Sequence, residues 1–335
     1  MKDAASGILV AGIEGTQITQ GELAFFESEQ IAGVTIFRRN VTPRLEDLRT
    51  LVRAFRSTCQ NPSEPNIVAI DQEGGRVARL RSPFPDLGPA QKIAEGKDDP
   101  AALDFISSYG FAVGAVLRSL GIDTDFAPVC DVLTNEATMA IGDRVWGIDP
   151  GIAANRAGSF LEGLSRAGVK GSLKHFPGQG DAAVDTHAGS ATVDRPLDEL
   201  QARELVPFIK LLSKAPMVMM AHVIYPQVCP FRASRSSIWI EDLLRSRWQY
   251  QGLVVSDDMD MGAVSQGEKQ WQEELVASVA AGIDMLLVCR HLERFKIALE
   301  GLRREMGKSK AFTNRVEVAA LRVRAMRKTQ FQEIN

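Results

Sequence analysis

Short runs of apolar, β-prone residues recur along the whole chain, each closing on glycine or a polar residue. In order they are GILVAGIEG (7–15), GVTIFRRN (33–40), NIVAIDQEGG (66–75), GIDTDFAPVCDV (121–132), VKGSLKHFPG (169–178), APMVMMAHVIY (215–225), GLVVSDDMD (252–260) and GIDMLLVCR (282–290). Runs this short and this continuously apolar suit parallel strands covered on both faces, where the in-out alternation of a half-exposed strand is lost. The segments between most of them carry helical punctuation. Thr42-Pro43 opens a stretch with Leu45, Leu48, Leu51, Val52 and Phe55 on one face. Asp99-Pro100 and Asp149-Pro150 each set a capping residue before a proline suited to the first helical position, and Gly121 and Gly168 stand where those helices should stop. Pro207 predicts a kink or two short helices after Asp198, because proline cannot donate inside a helix.

Eight strand–helix units predict the α/β class and a (β/α)8 TIM barrel, one domain over residues 1–335. A doubly wound parallel sheet is the structural alternative. There is no low-complexity linker and no long-period repeat.

Composition bounds the partners. Hydrophobic residues make up 45% and charged residues 24%, with a net charge of −3, so the chain is an ordinary globular one without the basic footprint of a nucleic-acid binder. The N-terminal stretch MKDAASGILVAGIEG has too short an apolar run for a signal or a membrane span, which predicts a cytoplasmic protein with no membrane association. A monomer is the favoured state. Cys59, Cys130, Cys229 and Cys289 are widely spaced, and three of them sit in or beside apolar runs, so they read as small buried hydrophobes.

In a barrel the C-terminal ends of the strands ring one mouth. Here those ends carry Glu14, Arg38 with Asn40, Asp71 with Glu73, Asp131, Lys174 with His175, His222, Asp257 with Asp258, and Arg290. Charges placed directly after runs such as IVAI and LVVS must be paired or face a wet cavity, since an unpaired buried charge costs several kcal/mol. Carboxylates alternating with Arg and Lys suit a neutral, hydroxyl-rich ligand, and no GxxxxGK[ST] loop for phosphate is present. A sugar fits better than a nucleotide.

Retaining glycoside hydrolysis needs one group to protonate the leaving oxygen and a carboxylate to attack the anomeric carbon. Asp257, at the end of a buried strand, is the candidate nucleophile. The loop GQGDAAVDTH offers His187 as proton donor, with Asp185 two residues earlier to hold its ring. The glycines and small residues of 178–187 suggest little packing and a loop that moves between binding and chemistry. Adjacent Asp257 and Asp258 should diverge in a regular strand, leaving Asp258 to pair with a rim Arg or Lys. Met259 and Met261 read as packing residues, His222 as a structural or hydrogen-bonding residue, and His291 as solvent-exposed.

Four segments then carry a resemblance to a known family. IDQEGGRVARL (70–80), DFAPVCDV followed by IGDR (125–132, 141–144), LKHFPGQGDAAVDTH (173–187) and GLVVSDDMDMGAV (252–264) resemble the β-N-acetylhexosaminidases of glycoside hydrolase family 3, of the single-domain bacterial NagZ type. The resemblance implies a TIM barrel that hydrolyses terminal β-linked N-acetylglucosamine with retention and without a metal or cofactor. It implies Asp257 as nucleophile, His187 as acid/base and Asp185 as its partner. It makes Asp71, Arg79, Arg144, Lys174 and His175 the residues that hold the sugar. A recycled cell-wall muropeptide is the implied natural substrate.

Three positions depart from the family pattern. Gln179 stands where PGHG has a histidine, and IGDR continues as VWG where a Ser-Phe pair is usual, which is expected to alter the pocket wall near Arg144. DTH for DSH keeps the hydroxyl. Other readings of the same residues are a family 3 β-glucosidase or β-glycoside phosphorylase, a metal-dependent barrel hydrolase built on Lys174, His175, His187, His222 and Asp257, and a non-catalytic sugar-binding barrel.

Overall fold

Each of the eight apolar runs forms a strand, and the strands close on themselves. The protein is seen here in a computed structural model that describes residues 4–81, 84, 87–95, 99–134, 141–182, 191–264 and 267–328. The barrel strands are β1 Leu9–Gly12, β2 Gly33–Ile36, β3 Ile67–Ile70, β4 Thr124–Asp125, β5 Lys170–Phe176, β6 Met217–Met220, β7 Leu253–Asp258 and β8 Met285–Val288. All neighbouring pairs are parallel, and β1 pairs with β8 through Leu9 and Leu286 to close the ring. This is the (β/α)8 barrel that the alternation predicts.

The strands are apolar throughout because both faces are covered. Ile67, Ala69, Met217, Met219, Leu253, Val255, Met285 and Leu287 fill the interior, whereas Val68, Ile70, Val218, Met220, Val254, Leu286 and Val288 pack outward under the helices. The barrel therefore alternates even though its hydropathy does not.

The surrounding helices include α1 Gln20–Glu29, α2 Leu45–Arg56, α3 Pro100–Ser119, α4 Pro150–Arg166, α5 Leu197–Ala202, α6 Val206–Leu211, the π-type α7 Ile238–Arg247, α8 Glu268–Ala280, α9 Leu292–Lys308 and α10 Lys310–Lys328. Asp99 and Asp149 cap α3 and α4 by accepting from the third residue on, with proline at the first helical position in both. Gly121 and Gly168 follow their C-termini at φ of 82° and 73°, a left-handed region that favours glycine. Pro207 sits in the first turn of α6, so the stretch after Asp198 is two short helices. The α2 helix begins at Leu45 rather than Thr42, whose hydroxyl instead donates to Asp47.

Long and apolar enough by composition to cross a membrane, α3 lies flat against α4. A Cβ at Gly163 would stand 2.1 Å from the Ser107 carbonyl, so only glycine permits this approach. At the opposite end of the barrel from the mouth, Val323 and Met326 of α10 join the interior cluster and close its floor. Cys130, Cys229 and Cys289 are buried as expected, and Cys59 is partly buried.

Candidate active site

Two irregularities in the barrel fall where the chemistry-bearing residues are. Between β5 and β6 the register runs from Leu173↔Val218 to Phe176↔Met220, so three steps on one strand meet two on the other. Between β7 and β8 it runs from Val255↔Met285 to Asp258↔Leu287, the same offset. A bulge re-aims side chains that a regular strand would send to opposite faces. Consecutive residues consequently share one cavity: Lys174 with His175, and Asp257 with Asp258. The Lys174–His175 peptide is cis. The divergence expected of Asp257 and Asp258 does not occur, because the strand is not regular there.

The cavity holds about 450 Å³ at the barrel mouth. A short hairpin, Gln72–Gly74 with Val77–Ala78, leaves the end of β3 and brings Glu73 and Arg79 over it. Lys174 Nζ lies 2.7 Å from Asp71 Oδ1 and 2.6 Å from Glu73 Oε1. Arg79 reaches the other Asp71 oxygen at 2.9 Å, and Arg144 grips both Glu73 oxygens at 2.8 Å. His175 is held by Asp131, whose carboxylate meets its Nδ1 at 2.7 Å and accepts the Gln179 N–H at 2.8 Å. The far side of that ring, Nε2, stands 3.4 Å from Arg144 and 4.0 Å from Asp257 Oδ2. All five residues expected to hold a sugar are thus brought together beside Asp257.

The charges hold one another ionised. Burial pushes the Asp71 and Glu73 carboxyls up, but Lys174 and Arg79 at Asp71, and Arg144 and Lys174 at Glu73, outweigh it: Asp71 lies far below the usual carboxylate range and Glu73 falls to about 2. Burial works against the Lys174 and Arg144 charges, and their carboxylate neighbours raise both above their ordinary values. Two other acids, buried Asp125 and half-buried Asp258, have no Arg or Lys within hydrogen-bond reach among the described residues and behave oppositely. Asp125 is pushed up to about 7 by burial, only partly offset by the Gln72 N–H it accepts. Asp258 also rises to about 7, through burial and then the charges of Asp260 and Asp257.

Several rim expectations are corrected. Glu14 caps α9 by accepting the Leu292 N–H, and Asn40 staples the ends of β1 and β2 through Ile13 and Gly15 carbonyls; neither lines the cavity. Arg38 is exposed, and its neighbour Arg39 lines the wall instead, lying over the Phe37 ring. Asp258 has no Arg or Lys partner among the described residues and accepts the Asp260 and Cys289 N–H groups. Met259 is fully buried, whereas Met261 lines the cavity. His222 is buried between Ser234 and the Asp258 carbonyl, and exposed His291 caps α9.

The loop beginning at Gly178 is not loosely packed over residues 178–182. Tyr225 donates to the Gly178 carbonyl, Arg195 and Arg203 hold Asp181, and a Cβ at Gly180 would stand 1.7 Å from the Val132 carbonyl. Beyond it, Ala191–Thr192 pairs with Val223 and Ile224. Asp185 and His187 fall in residues 183–190, outside the described residues. Gln179 is buried, and Trp146 of the VWG segment packs on Phe160 in the core rather than forming the cavity wall near Arg144.

Sequence reasoning placed Glu73 and Asp131 on the rim without a task. Glu73 is the bridge between Lys174 and Arg144, and Asp131 orients His175. The hairpin that delivers Glu73 had only the GG pair at 74–75 as a signal, with φ of 105° and 56°.

Comparison with known proteins gives this geometry its context. The glycosyl hydrolase family 3 N-terminal domain matches residues 9–326. A β-hexosaminidase of Stenotrophomonas maltophilia is 37% identical over 287 residues, covering 84% of this chain and 83% of its own. The family 3 β-N-acetylglucosaminidase of Paenibacillus superposes with a TM-score of 0.89 at 30% identity, over 98% of this chain and 63% of that one. NagZ from Neisseria gonorrhoeae, solved with N-trifluoroacetyl-D-glucosamine, gives a TM-score of 0.81 at 30% identity, over 96% and 93%.

Proposed function

The chain belongs to glycosyl hydrolase family 3, and from that premise we propose that it releases terminal β-linked N-acetylglucosamine by two displacements with retention. One observation carries this reading: a chain of charge pairs, Asp71–Lys174–Glu73–Arg144, lines a cavity of about 450 Å³ together with Asp257, whose Oδ2 stands 4.0 Å from His175 Nε2. Asp71, Arg79, Arg144, Lys174 and His175 hold the sugar hydroxyls through charge-assisted hydrogen bonds, which are roughly twice as strong as neutral ones. Asp257 attacks the anomeric carbon. His187, oriented by Asp185, protonates the leaving oxygen and then takes a proton from the water that frees the sugar.

The β-hexosaminidase relatives and the N-acylglucosamine bound by the Neisseria protein support N-acetylglucosamine over glucose. The natural substrate in this reading is cytoplasmic muropeptide from cell-wall recycling, N-acetylglucosamine joined to an anhydro-muramic unit. The test compares aryl β-N-acetylglucosaminide with aryl β-glucoside, using wild type and His187→Ala, and follows the first-formed anomer by NMR. The expected result is an N-acetylglucosaminide preference, β-anomer released first, and a strongly impaired variant. A glucoside preference overturns the substrate, an initial α-anomer the stereochemistry, and an unimpaired His187→Ala the proton donor.

A further inference from the structure

The two peptides following Asp257 are held from several sides at once. The Asp258 N–H donates to Asp257 Oδ1 at 2.8 Å. The Asp258 carbonyl accepts from Met261 N at 3.0 Å and lies 3.3 Å from His222 Nε2. A carbonyl can only accept, so His222 carries its proton on Nε2 and its Nδ1 takes the Ser234 hydroxyl at 2.7 Å. The Asp258 side chain ties this turn to β8, with Oδ1 accepting Asp260 N at 3.1 Å and Cys289 N at 3.3 Å. Next along the chain, Met259 N donates to the Leu287 carbonyl at 2.9 Å and its own carbonyl accepts Trp271 Nε1 at 2.7 Å. Arg294, lying over the Trp271 ring, and the Arg290 N–H then hold Asp260.

One oxygen of Asp257 is therefore committed to the backbone, and the direction of the Asp258 N–H decides which. We infer that Asp258 and His222 are positioning residues that present Oδ2 of Asp257 as the attacking oxygen, by fixing residue 258, whose side chain and following peptide are both held and whose N–H tethers Oδ1. This rests on Asp257 being the nucleophile. Neither residue need touch the sugar. Burial lowers the His222 pKa, keeping the neutral ring that the two hydrogen bonds require. Asp258, pushed up to about 7 with burial as the largest cause, adds little second negative charge beside Asp257 below that pH.

The experiment measures kcat and KM on aryl β-N-acetylglucosaminides, and the inhibition constant of free N-acetylglucosamine, for four variants. Asp258→Ala removes the acceptor and Asp258→Asn keeps it; His222→Phe removes the donor and His222→Gln keeps one in reach. A misplacement of about 1 Å can cost about 100-fold in rate, so Ala and Phe should lose on the order of 100-fold in kcat. The sugar's inhibition constant should stay within about 3-fold, and Asn and Gln should recover most of the loss. The inference falls if a folded Asp258→Ala or His222→Phe retains kcat within about 3-fold, if sugar binding weakens as much as kcat, or if the conservative variants recover nothing. Should Asp258→Ala not fold, the His222 pair decides. Mass mapping of the adduct formed by a slow fluorinated N-acetylglucosaminide separates the premise: label on a residue other than Asp257 rejects the nucleophile, whereas slowed labelling of Asp257 itself supports the positioning role.

Discussion

The two ends of the barrel bury the same kinds of charge to opposite effect. At the floor, Asp284 directly precedes β8 and is fully buried. It is met by Arg245 at 2.6 Å, Arg315 and Arg322 at 3.0 Å, and the Val254 N–H at 3.1 Å. Both oxygens are occupied, and cations outnumber the carboxylate. Glu64 repeats the pattern with Arg324 and Lys328, and Asp123 is paired with Arg56. At the mouth, lining carboxylates and cations are evenly matched, and among the described residues Asp257 keeps an oxygen with no Arg or Lys in hydrogen-bond reach. A saturated carboxylate can only hold structure, whereas one with a spare oxygen over a cavity can act on something that enters it. Electrostatics alone does not distinguish the ends; satisfaction does.

That contrast can be broken at the mouth first. Asp257→Ala should lower kcat by about four powers of ten while leaving the melting temperature within about 3 °C, because little of the fold leans on that side chain. Azide should restore part of the turnover and yield the α-glycosyl azide, since it attacks once from the vacated face. A large loss of melting temperature would show that Asp257 is structural like its counterpart at the floor.

The floor should answer in the opposite sense. Asp284→Ala strands three guanidinium groups, two of them largely buried, and should cost about 3–5 kcal/mol of stability in denaturant titration, with activity per folded molecule nearly unchanged. Equal loss of specific activity in the folded fraction would couple the two ends.

The smallest effect sharpens the comparison inside the mouth itself. Asp125 is raised in the fold to about 7, above its unfolded value, so its favourable contribution is fully present below about pH 4 and is lost as pH rises through about 7. Asp71 and Glu73 run the other way: their depressed values stabilise the fold above about pH 4.5 and lose that contribution as pH falls toward 2. Asp125→Asn keeps the acceptor for the Gln72 N–H and removes the ionisation. Its melting temperature should gain a few degrees on wild type between pH 4 and pH 7, measured by scanning calorimetry, and no further above that. A gain that is the same at every pH would show that Asp125 is not raised.

Much of this was legible in the sequence, and for identifiable reasons. Strand positions were readable because parallel strands covered on both faces must be apolar, and caps such as Asp99 and Asp149 were readable because their bonds are local. Cavity residues at strand ends, from Asp71 to Lys174 and Asp257, followed from the barrel's geometry. What escaped was non-local or irregular. The bulges that turn His175 and Asp258 toward the cavity depend on register against a neighbouring strand, which no single segment encodes. Asp131's hold on His175 spans 44 residues, and the anchoring of Gly178–Ala182 depends on Tyr225, Arg195 and Arg203 from later in the chain. Small residues looked like slack, but at Gly180 they mark tight contact.

The floor built by α10 also sets an order of events during synthesis. β1 finds its partner in β8, and the interior finds its lower seal in Val323 and Met326, only after the six intervening strands have been made. Until then the ribosome carries an open, curled sheet with an unpaired edge at β1 and an uncovered apolar end, so the nascent barrel is most exposed to misassociation just before β8 and α10 arrive.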